Sequence, residues 1–118
     1  MGHQKVGLAN VIIPDELLQI FLMETDDLLK LAEASLLTLE SSPQAAAPID
    51  ELFRSIHTLK SSAAMVGLVP LSEYAHYLEN LLDRLRSQKL AISKNLITFL
   101  SDTVDHIRFV VEQAAAGT

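Results

Sequence analysis

Four stretches of this chain repeat their apolar residues at mostly three- and four-residue steps, and proline, glycine or polar breaks separate them. That spacing lines apolar side chains along one face of a helix. The first stretch runs from about Pro14 to Glu40 and carries Leu17, Phe21, Met23, Leu28, Leu31, Leu36 and Leu39. Pro14 suits a first helical turn, and Asp15 and Glu16 suit its positive end. The segment "SSPQAAAP" then breaks the pattern as a loop. A second helix is expected from about Pro48 to Val66, with Gly67 as its stop. A third runs from about Pro70 to Ser87, with Arg84 and Arg86 near its negative end. A fourth starts at Ser93, a candidate N-cap, and runs to about Gln113 through Leu96, Ile97, Leu100, Val104, Ile107, Val110 and Val111.

Four amphipathic helices with short connections predict an all-α, antiparallel up-down four-helix bundle over residues 14–113. Residues 1–13 are expected to be a flexible N-terminus without a role for His3, and residues 114–118 a tail. A leucine-rich composition with few glycines, prolines and aromatics agrees with that class. A chain of 118 residues fits one domain with a modest core. The net charge of −6 argues against nucleic acid or an anionic membrane surface as partner. No apolar run reaches the roughly 18 residues of a membrane span. The absence of cysteine excludes disulfides and thiolate chemistry, and is compatible with the cytoplasm.

The second helix holds the most informative stretch, "SIHTLKSSAAMVG". Leu52, Ile56, Leu59, Ala63 and Val66 form its core arc, with Ile49 at the edge. His57 lies roughly 120° from the centre of that arc, on a shoulder that is part packed and part exposed. Ser61 and Ala64 continue the same side, and Lys60 leans between them and the core. The shortest connection joins the second and third helices, which makes them antiparallel neighbours. If their turn centres on Leu68, His57 stands level with Glu79 and Lys60 with His76. On the third helix Leu71, Ala75, Leu78, Leu82 and Leu85 face the core, while Ser72, His76, Glu79 and Asp83 form a polar stripe.

A carboxylate accepting a proton from one imidazole nitrogen fixes the tautomer and leaves the other nitrogen as a nucleophile. Lys60 supplies positive charge where a phosphoryl group would sit. The small residues Ser61, Ser62, Ala63 and Ala64 let a partner approach the ring. The same residues also support plainer readings. The histidine can be a polar surface residue, the stripe a solvated face, and the small residues a close helix contact.

"HTLKSSAAMVG" resembles the His-x-x-Lys-small-small motif of histidine-containing phosphotransfer (HPt) domains. "AHYLENLLDRLR" resembles the version at the N-terminus of CheA-type chemotaxis histidine kinases. The resemblance covers roughly Pro14 to Gln113 and is specific over His57–Gly67 and Glu73–Arg86. It implies that His57 is the phosphoacceptor, Lys60 the lysine that stabilises phosphate charge, Glu79 the carboxylate that orients His57, and His76 an auxiliary member of that network. It implies docking at Ser61, Ser62, Ala64 and Gly67. The family commonly has glycine directly after the lysine, where this chain has Ser61, a residue still small enough for docking.

The resemblance implies a cytoplasmic phosphocarrier with two partners, the ATP-binding domain of a histidine kinase and the receiver domain of a response regulator. No glycine-rich nucleotide box is present in the sequence, so no cofactor is expected on this domain, and ATP and Mg²⁺ are expected on the partners. A CheA-type domain can carry a further C-terminal helix, so the chain is expected to be a piece of a longer protein and monomeric as an isolated domain. The competing contexts are a hybrid sensor kinase and a stand-alone phosphorelay protein. The competing functions are a helical adaptor without covalent chemistry and a metal-binding bundle using His57, His76, Glu79 and His106.

Overall fold

The computed structural model describes residues 4–6, 12–88 and 90–116. Two short strands, β1 (Gln4–Val6) and β2 (Ile12–Pro14), precede four helices: α1 (Asp15–Ser41), α2 (Ala46–Met65), α3 (Val69–Arg86) and α4 (Lys94–Ala116). The expected helices are all present, with ends shifted by no more than three residues. The helices pack as a bundle in which α2 meets both α3 and α1, and α1 also meets α4. Ser93 caps α4, its Oγ accepting the Leu96 N–H at 3.1 Å. Among the described residues, no helix is long and apolar enough to cross a membrane.

Part of the expected flexible N-terminus is ordered. β1 and β2 pair antiparallel, with Lys5 opposite Ile13. Ile13 is 1% exposed and joins the core. An apolar side chain immediately before α1 is drawn under the bundle, which fixes β2 and gives β1 an edge to pair with. Residues 1–3, 7–11, 117 and 118 lie outside the described residues, so most of that N-terminal segment and part of the tail do too.

The core confirms the expected arcs of α2 and α3 at every position. On α1 the buried stripe is different. Leu18, Phe21, Thr25, Leu29, Ala32, Leu36 and Leu39 face inward, while Leu17, Met23 and Leu31 are exposed. These seven step by three or four residues, as one helix face requires, and Ser35 is buried at the edge of the same face. The expected set contained steps of two and five. Thr25 and Ala32 complete the face and are too small or too polar to stand out among leucines.

Arg108 on α4 ties the outer edge of α1. Its guanidinium donates to Asp26 at 2.9 Å and to both carboxylate oxygens of Glu33 at 3.0 and 3.1 Å. Asp26 and Glu33 are seven residues apart, two turns along one face. This half-exposed clamp contributes more to the register of α4 on α1 than to stability.

Gly67 ends α2 with φ 83°. Its N–H bonds to Ala64 O at 3.1 Å, and the Leu68 N–H bonds to Ala63 O at 2.9 Å. This is a Schellman closure, with buried Leu68 against buried Ala63. At the end of α3, Gln88 adopts φ 63° without being glycine. Opposite substitutions should therefore shift stability in opposite directions. Gly67→Ala should cost about 1–2 kcal/mol, and Gln88→Gly should gain up to about 1 kcal/mol. Urea denaturation of both variants reads these changes directly. A stabilised Gly67→Ala would contradict the left-handed turn.

Candidate functional site

The α2–α3 hairpin builds the site. The Gly67 turn reverses the chain, and Ser72 Oγ donates to Lys60 O at 3.0 Å, which pins the first turn of α3 beside the last turns of α2. This register brings Glu79 to the height of His57. Glu79 is nearly buried, yet both carboxylate oxygens are used. Oε1 accepts from Lys60 Nζ at 2.9 Å. Oε2 pairs with His57 Nδ1 in a close hydrogen bond.

Burial by itself pushes the Glu79 carboxyl up. Hydrogen bonds from Lys60 and then His57, reinforced by their charges, outweigh it and hold the group below the usual carboxylate range. Glu79 is thus ionised at neutral pH and can only accept. His57 Nδ1 must then carry the proton of this bond, and of the two neutral tautomers the pair selects the one with its lone pair on Nε2. The His57 side chain is 56% exposed. The ring is thus open to solvent on part of its surface, and the Lys60 ammonium sits on the same carboxylate.

His76 reaches only the margin of this network. Its Nδ1 is 3.9 Å from Glu79 Oε1, an ion-pair distance and too long for a hydrogen bond. Lys60 and His76 line one groove, as their shared level in the hairpin predicts, and the Lys60 ammonium goes to Glu79. The long lysine stem reaches the buried carboxylate, where charge is worth more than at an exposed imidazole.

Ser61 and Ala64 are exposed on the His57 side of α2. Together with Lys60, Ser72, His76 and Tyr77 they line a shallow groove of about 420 Å³. Ser61 Oγ turns back to its own helix and donates to His57 O at 3.3 Å. Ser62 does not share this surface. It is half-buried and lies about 140° around α2 from His57, since five residues of helix carry it to the opposite shoulder. Gly67 belongs to the turn, where its φ explains it.

Two neighbours were not singled out from the sequence. Phe53 stacks on the His57 imidazole, with ring centroids 6.1 Å apart and planes 12° from parallel. The Arg86 guanidinium lies 3.9 Å from the Phe53 ring centroid. Phe53 stands four residues before His57, and Arg86 seven after Glu79, so the helical spacing is the signal that could have found them. His106 lies on α4 and meets Tyr74 edge-on at 5.6 Å. Among the described residues, no group of three or more histidine or acidic side chains is placed to hold a metal ion.

A family model described as Hpt domain matches residues 16–109. The chain is 35% identical over 103 residues to the chemotaxis protein CheA of Treponema pallidum, covering 87% of this chain and 13% of that protein. The chain therefore spans a small part of that relative's length. It resembles the solved CheA phosphotransferase domain from Thermotoga maritima, with 35% identity and a TM-score of 0.78 over 82% of this chain and 92% of that one. It also resembles the phosphorylated P1 domain of CheA3 in complex with CheY6 from R. sphaeroides, with 30% identity and a TM-score of 0.80 over 86% of this chain and 80% of that one.

Proposed function

This chain belongs to the Hpt domain family, and from that premise we propose that His57 is its phosphoacceptor, loaded by a CheA-type kinase and unloaded by a response-regulator receiver. The observation that carries the reading is the His57–Glu79 pair, which engages Nδ1 and leaves Nε2 outside that bond on a side chain that is more than half exposed. In the first step the Nε2 lone pair forms a bond to the γ-phosphorus of ATP on the kinase domain. The bond from that phosphorus to the β,γ-bridging oxygen breaks, and ADP leaves with the electron pair. The ring becomes a cation with its proton still on Nδ1, facing the Glu79 carboxylate. In the second step a receiver aspartate attacks phosphorus, the P–N bond breaks, and its electrons return to Nε2. Lys60 offsets phosphoryl charge in both steps. In this reading ATP and Mg²⁺ are held by the partners, and the exchange is cytoplasmic because the kinase draws on ATP.

Incubation with the kinase domain and labelled ATP, followed by mass spectrometry under alkaline conditions, tests the reading. Phosphate on His57 is the expected result, and phosphate on His76 or His106 instead would overturn it. The groove lined by Ser61 and Ala64, one to two turns further along α2 from His57, is the docking surface in this scheme. Ala64→Leu should slow transfer to the receiver by about tenfold or more, while its effect on the melting temperature stays small, because position 64 is exposed. Ser62→Leu should act mainly on stability, and stopped-flow transfer kinetics beside thermal melts separate the two.

A further inference from the structure

We propose that Phe53, held from behind by Arg86, is a positioning residue that sets the orientation of the His57 ring. The inference rests on His57 being the phosphoacceptor. An imidazole that is 56% exposed and tied through one nitrogen has a competing state, in which the side chain swings away from Glu79 into water. The structure opposes that state with a second restraint. Phe53 lies one helical turn before His57 on α2, and its ring runs nearly parallel to the imidazole in an offset stack, with centroids 6.1 Å apart. Phe53 is itself packed against the core. On its exposed side the Arg86 guanidinium covers the ring at 3.9 Å, and Arg86 is anchored by Asp83 at 2.9 Å.

The hairpin thus carries two rungs. His57 meets Glu79, and one to two turns further from the Gly67 bend Phe53 meets Arg86. The lower rung fixes the plane of the ring, and the upper rung fixes its tautomer. Together they leave Nε2 free to meet a donor in line. Parallel stacking also suits the cationic ring that follows attack on phosphorus, because an aromatic face attracts positive charge. Each helix supplies one member of each rung, so ring orientation depends on the α2–α3 register as a whole.

The test uses phosphoramidate, a small donor that needs no docking surface. The His57 Nε2 lone pair forms the N–P bond as the P–N bond of phosphoramidate breaks and ammonia leaves. Phosphorus NMR follows the rate, and nitrogen-15 NMR of the unphosphorylated ring reads its tautomer and rotamer averaging. Phe53→Leu keeps most of the apolar volume but removes the flat face. It should lower the rate about tenfold and average the His57 side-chain couplings. Phe53→Tyr should restore both. Arg86→Gln, a surface change, should give a smaller effect of the same kind and carries the test if Phe53→Leu does not fold. With the kinase domain and ATP as donor, kcat should fall while KM is unchanged.

Wild-type rate and unaveraged His57 signals in folded Phe53→Leu would overturn the inference, as would the same result in Arg86→Gln should Phe53→Leu unfold. A Phe53→Tyr variant as slow as Phe53→Leu would also overturn it. The underlying assignment fails separately. If His57→Gln takes phosphate from phosphoramidate as fast as the wild type, His57 is not the acceptor. The NMR of the unphosphorylated ring still reads the positioning in that event.

Discussion

His57→Gln is expected to abolish acid-labile, alkali-stable labelling by the kinase. Glutamine has the length to accept or donate a hydrogen bond but has no nitrogen lone pair available for attack on phosphorus. The fold should be retained, because the His57 side chain is more than half exposed and Lys60 still pairs with the Glu79 carboxylate. Helical circular dichroism and a cooperative melt, measured on the same sample as the label, make the comparison. Equal labelling of the variant, or labelling that is lost only when His76 is changed, would remove His57 from the reaction.

Glu79→Ala is expected to lower the rate of His57 phosphorylation by about a hundredfold. Without the carboxylate the ring loses its fixed tautomer, and the cation formed on attack loses the negative charge that faces it. Lys60 is released at the same time and is free to turn to water. Glu79→Gln should be intermediate, since its carbonyl can accept the Nδ1 proton but carries no charge. Transfer from phosphorylated His57 to the receiver should suffer less, because there the ring is the leaving group. Single-turnover rates for the two half-reactions give the comparison, and an equal loss in both would indicate a general loss of structure instead.

The same residue links stability to pH. Hydrogen bonds from Lys60 and His57 hold the Glu79 carboxyl below its ordinary value of 4.5, against the opposing push of burial. A folded-state pKa below the unfolded one adds stability above the unfolded value and loses it as the pH falls through the folded one. The difference in denaturation midpoint between wild type and Glu79→Gln should therefore be present at pH values above the ordinary carboxylate value. It should shrink at lower pH as Glu79 gains its proton. A difference that grows with acid would contradict the ionised carboxylate.

Helix number, the α2–α3 turn and the height of Glu79 opposite His57 follow from local properties of the sequence. An apolar repeat near 3.6 residues, a proline in a first turn and a glycine at φ > 0 act over a few residues, whatever surrounds them. Once Gly67 places the turn, antiparallel geometry sets which residues share a level, so the central pair was legible before any coordinates. The tertiary structure decided what depends on competition between near-equal choices. A leucine-rich α1 offers more than one apolar face, and only packing against its neighbours selects Leu18 and Leu29 over Leu17 and Leu31. Lys60 has the reach for either His76 or Glu79, and the buried carboxylate takes it. The insertion of Ile13 and the packing of Arg86 from α3 on Phe53 of α2 likewise depend on side-chain directions and helix register. Those quantities are set across the bundle, between residues far apart in sequence, and no local window contains them.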